Sequence, residues 1–124
     1  MDSLIGASDE VRYNYLIQTG AKTKMIWLLQ ERDGMFAMME DANAQEYIPV
    51  WPEEQYAKLN AADDWAEYQP EAMDLFEFNS WLKELEEDLV KIAAFPDGSG
   101  TIIPLDPLVI KKHLEEEYQR INPK

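Results

Sequence analysis

The stretch Tyr47-Ile48-Pro49-Val50-Trp51-Pro52 constrains the fold most, because it sets two prolines three residues apart in an apolar run. Proline has no N–H to give a ladder, so a strand here runs at a sheet edge or turns the nitrogen of residue 49 outward. Pro52 suits the first position of a helix, and Glu53 and Glu54 then fall where the helix dipole favours negative charge. The segment therefore reads as a strand, a stop and a short helix, with Tyr56 and Leu59 turning that helix onto the sheet.

The flanking segments complete the pattern. Ser8 caps a first helix with Asp9 and Glu10 in its first turn, Gly20 as its stop, and Val11, Tyr15 and either Leu16 or Ile17 facing inward. Met25–Leu29 and Met35–Met39 flank Asp33-Gly34, a dipeptide that tolerates a tight turn, and read as a hairpin of strands covered on both faces or guarded by helices. The 41–45 stretch is a turn, and 61–70 is a loop leading into a short extended piece at 71–75. Asp74 and Glu77 have capping-box spacing ahead of a helix whose apolar stripe is Leu75, Phe78, Leu82, Leu85 and Leu89, joined by Trp81. A strand at 89–96, a turn at Asp97-Gly98-Ser99-Gly100 and a strand at 101–105 lead to Asp106-Pro107, a helix start. The last helix carries Ile110, Leu114, Tyr118 and Ile121 on one stripe. The order α-β-β-β-α-loop-α-β-β-α predicts one α+β domain over 1–124, an antiparallel or mixed sheet of about five strands with helices packed against it.

With 124 residues, 46% of them hydrophobic, the chain can bury a core of its own. It has no cysteine, which excludes a disulfide framework, a thiolate metal site and a thiol nucleophile. Its first residues lack the basic and apolar regions of a secretory signal, and its longest apolar runs fall far short of the ~20 residues that cross a bilayer. The cytosol is the expected location, with no membrane association. Net charge is −14, and residues 31–90 carry all of it, with 17 acids against Arg32, Lys58 and Lys83. Such a field disfavours nucleic acid and favours a basic partner, although acidic faces also serve solubility.

The segments Trp27–Gly34, Pro49–Pro52, Tyr68–Leu75, Trp81–Asp88 and Ala93–Pro96 together resemble a family of small acidic bacterial proteins known as a domain of unknown function. The resemblance spans about residues 8–118 and is most distinctive at Pro-Val-Trp-Pro and the later Phe-Pro. Where such proteins tend to place Trp directly after the Asp-Gly turn, this chain has Met35 and Phe36. The resemblance implies the fold and a bacterial cytosolic origin; it implies no activity and no functional residues. A weaker similarity, in the strand–Pro–helix arrangement, is to the N-terminal domain of enhanced-serine-sensitivity proteins.

No residue reads as catalytic, cofactor-binding or metal-binding. His113 is the only histidine and reads as a residue at the core margin, since a catalytic base needs an orienting partner and a histidine metal site usually needs more than one imidazole. The 97–100 turn lacks the Lys-Ser/Thr of a phosphate loop. Asp41 and Asn43 imitate the start of a calcium loop, but Glu46 stands where its glycine belongs. The interaction residues expected from the sequence are Asp63, Asp64, Trp65, Glu67 and Tyr68, acids interleaved with aromatics in a loop, together with Glu84, Glu86, Glu87 and Asp88 on the outer face of a helix. The alternative for Trp65 and Tyr68 is that they fold inward and pin the loop. Three functions follow: a non-catalytic module, immunity- or antitoxin-like, meeting a basic protein; a small enzyme or metabolite-binding domain with a pocket between sheet and helices; and a subunit that forms a homodimer through Met-rich apolar surface.

Overall fold

The computed structural model describes residues 8–62, 65–96 and 102–123. The 97–100 turn, Thr101, Asp63 and Asp64 lie outside the described residues. The protein is α+β, with helices α1 (Asp9–Thr23), α2 (Glu54–Leu59), α3 (Leu75–Glu87) and α4 (Pro107–Ile121) and strands β1 (Met25–Gln30), β2 (Met39–Glu40), β3 (Glu46–Val50), β4 (Gln69–Asp74), β5 (Lys91–Ala94) and β6 (Ile103–Leu105). The strands form a two-stranded antiparallel sheet, β1-β4, and a four-stranded sheet, β2-β3-β5-β6, in which only β3 and β5 run parallel. Trp27 and Trp51 join the two sheets by exchanging backbone hydrogen bonds of 2.9 and 2.8 Å.

This bridge explains how a strand with a proline sits inside a sheet. Tyr47 of β3 pairs with Met39, and Trp51 pairs with Trp27. Alternation along the strand turns the nitrogen of Pro49 toward the same edge, between those two partners, where no donor is needed. On its other edge β3 is fully engaged with β5. Pro52 lies two positions earlier than expected, ahead of the N-cap rather than at the first helical position. Glu53 is the N-cap of α2 and makes no side-chain capping bond; its Oε1 instead accepts from Tyr15 Oη at 2.9 Å. Tyr56 and Ala57 form the inner face of α2, whereas Leu59 is exposed.

The expected hairpin is reduced to its turn. Gly34 has φ +98° and the chain reverses there, but the pairing is confined to the single Gln30–Phe36 bridge, in which Ala37 N donates to Leu29 O and Glu31 N to Met35 O. β1 takes β4 as its ladder partner over six residue pairs. The other edge of β1 is shared between Trp51 and Ala37, so the Met35–Met39 run cannot stay beside it. Met35 and Met38 end up exposed, while β1 is covered on both faces, with Leu28 and Leu29 fully buried.

The helices follow their caps. Ser8 Oγ accepts from Val11 N, and α1 continues past Gly20 to Lys24, which closes it in the left-handed region. Gly20 is a packing position rather than a stop: a Cβ there would lie 2.8 Å from Ile26 Cδ1 and 3.4 Å from Leu114 Cδ2. Val11 faces solvent, and Arg12 takes the inner position, 1% exposed, its guanidinium 5.8 Å from the centre of the Phe95 ring and 3.2 Å from Asp9 Oδ1. Asp74 Oδ1 caps α3 by accepting from Phe76 N and Glu77 N. Leu75, Phe78, Leu82 and Leu85 enter the core, but Leu89 lies beyond the helix and is 79% exposed. In α4, Asp106 holds the N-cap position but, contrary to expectation, makes no side-chain capping bond, its carboxylate lying 3.5 Å from Lys91; Pro107 opens the helix, with Ile110 and Leu114 buried.

Candidate functional site

The C-terminal end of α3 concentrates charge of the wrong sign for a helix. Glu84 and Glu87 are exposed, Glu86 is half-buried, Asp88 is the exposed C-cap, and the last turn holds no base. That end of a helix carries the negative pole of the macrodipole, so each acid there is unfavourable by about 0.3–1 kcal/mol. The chain leaves the helix through Leu89 at φ +62°, with Val90 N donating to Leu85 O and Leu89 N to Glu86 O. Leucine fills a position usually given to glycine.

The β2–β3 turn is fastened to this end, since Gln45 Nε2 donates to Leu89 O at 2.9 Å. Asp41 organises the turn, its carboxylate accepting from the amides of Gln45 and Asn43 and from Tyr47 Oη. Those bonds, the Gln45 amide first, hold the Asp41 carboxyl below the usual carboxylate range. Asp41, Glu46 and Asp88 line one shallow depression of about 550 Å3 with Lys91, and Lys91 is 3.5 Å from Asp106 Oδ1. The sequence placed a turn at 41–45 but marked the Asp41 side chain only as an imitation calcium ligand; the Asp-x-Asn spacing of an Asx turn was the available signal for its role.

The loop residues divide. The Trp65 ring meets the buried Trp51 edge-on at 6.4 Å between centroids, and Trp65 is half-buried, as is Tyr68, whose amide donates to Trp65 O. Both aromatics therefore pack toward the body, as their inward alternative requires. Glu67 is exposed and shares a cleft of about 500 Å3 with Glu31, Arg32 and Asp33. Within it the Glu31 carboxyl is pushed up, first by its hydrogen bond to Asp33 and then by burial and nearby negative charge. Phe36 packs on Trp81 at 5.2 Å, fastening the turn that carries Glu31 and Asp33 to α3 one turn ahead of Glu84.

His113 lies half-buried between α1 and α4, its Nδ1 2.5 Å from Tyr13 Oη. Burial pushes the Tyr13 hydroxyl up to about 12. Among the described residues no three His, Cys, Asp or Glu side chains are gathered as a metal ion would need, and no helix is long and apolar enough to cross a membrane. The five ion pairs formed among the described residues use Asp9, Asp106, Glu115, Glu116 and Glu117; no described acid between residues 31 and 88 takes part in them.

Neither the curated proteins nor the solved structures contain a match to the chain. A family model matches residues 13–114, a span running from Tyr13 in α1 to Leu114 in α4 and including every strand. The chain belongs to that family, described as Protein of unknown function (DUF2750).

Proposed function

We propose that the protein is a non-catalytic interaction module that offers the acidic end of α3 and the adjoining β2–β3 turn to a basic protein. The observation that supports this reading is the last turn of α3: Glu84, Glu86, Glu87 and Asp88 crowd a helix pole that repels them, with no base in that turn. A cationic partner relieves that repulsion on binding, and complementary potential also speeds encounter. An immunity- or antitoxin-like role, neutralising a basic enzyme, is one instance. The proposed setting is the bacterial cytosol, where a cysteine-free chain needs no oxidising compartment.

The test compares the immobilised wild-type chain with a variant carrying Glu84→Gln, Glu86→Gln, Glu87→Gln and Asp88→Asn, each incubated in native lysate at low and high salt. The wild type retains a protein of basic pI that is released at high salt, and the variant retains about tenfold less of it. Equal retention by both chains, or capture indifferent to salt, rejects the reading.

A further inference from the structure

Between α3 and α4 runs a groove of about 640 Å3, of the size that small-molecule sites have. Its floor is apolar. Leu75 and Phe76 from the first turn of α3 meet Tyr118 from α4, and the Phe76 and Tyr118 rings stand edge-on at 5.3 Å. Phe76 is nevertheless 53% exposed, an apolar surface facing open space.

Asn79, one turn further along α3, lines the same groove. It is 8% exposed, and its Oδ1 has no hydrogen-bond partner. A buried acceptor left unpaired is a standing cost to the fold, and what it lacks is a donor. The rim carries both signs of charge: Lys83, Lys111 and Lys112 against Glu115 and Glu116. Lys111 is taken by Glu115 at 2.7 Å, and Lys112 stands 4.0 Å from Glu116. Lys83 forms no ion pair among the described residues.

From these features we infer that the groove binds an apolar α-amino acid. Its side chain covers Phe76 and Tyr118, its carboxylate meets Lys83, and its ammonium donates to Asn79 Oδ1 with the rim glutamates nearby. Each part of the zwitterion answers one feature: the exposed ring, the unengaged lysine and the acceptor without a donor. A plain carboxylate leaves Asn79 unanswered, and a plain amine leaves Lys83.

The test is an amide-resolved NMR titration of the full chain with L-phenylalanine and L-leucine, alongside 3-phenylpropionate, phenethylamine and glycine. Both apolar amino acids produce saturable shifts centred on Phe76, Asn79, Lys83 and Tyr118, and the three analogues bind about tenfold more weakly or worse. Phe76→Ala, at an exposed position, weakens both amino acids. Lys83→Gln weakens phenylalanine but leaves phenethylamine unchanged. Asn79→Leu raises the unfolding midpoint by a few degrees while weakening phenylalanine, because it removes the unpaired acceptor. No saturable shift with either amino acid, 3-phenylpropionate binding as tightly as phenylalanine, or shifts centred away from α3 and α4 overturns the inference. These readouts do not involve the acidic end of α3, so the site stands or falls separately from the interaction reading.

Discussion

Single residues carry several of the fold's least expected features. Gly20 lets α1 approach β1 and α4 closely, so Gly20→Val forces Ile26 and Leu114 to repack and lowers stability by about 2–3 kcal/mol in urea unfolding. The sequence made Gly20 look like a helix stop because glycine serves both roles, and only tertiary contact separates them. Arg12 was not legible for a similar reason: between Val11 and Tyr13 nothing marks an arginine that will lie under Phe95 instead of in water. Tyr13 sets a pH dependence. Burial raises its folded-state value above 10.0 to about 12, so folding favours the protonated phenol. Its contribution is complete below pH 10 and is lost as pH rises toward 12. Ultraviolet titration shows a tyrosine ionising near pH 12 that is lost in Tyr13→Phe, and the variant loses less stability than wild type across that window.

At the scale of elements, the helices with clear start signals were the most legible. Asp74, whose carboxylate caps α3, and Pro107 at the start of α4 can be read locally, because a helix start needs only its own few residues. The partner of β1 could not be read that way. A hairpin through Asp33-Gly34 satisfies every local rule, yet the Trp27–Trp51 bridge occupies part of that edge and β4, far along the chain, takes the other. The end of α3 was legible in charge but not in conformation: Leu89 continued the apolar stripe on paper and left the helix in the left-handed region instead. Leu89→Gly therefore stabilises the protein by about 1 kcal/mol, since the side chain buries little and the strain disappears. Asp88→Lys stabilises by about 0.3–1 kcal/mol through the helix dipole while weakening capture of a basic partner, a split visible by pairing denaturation curves with retention assays.

For the whole molecule, segregation of charge is the dominant property. The described ion pairs draw their acids from α1, α4 and the cap of α4, leaving the described acids of residues 31–88 outside them. The charge count of residues 31–90 was plain in the sequence, but its distribution was not. Folding turned Trp65 toward Trp51, placed Glu67 with Glu31 and Asp33, and joined Asp41 and Glu46 to Asp88. Self-repulsion among these carboxylates makes the isolated chain more stable as sodium chloride is added, and screening should bring most of the gain by physiological ionic strength.

Carbodiimide labelling of carboxylates, read residue by residue in native lysate and in buffer, bears most directly on what the acidic surface is for. If a basic protein occupies it, Glu84, Glu87, Asp88 and Asp41 are protected in lysate at low salt, and high salt removes the protection. Equal labelling of these four in lysate and buffer, or protection confined to Glu115 and Glu116 on α4, would contradict it.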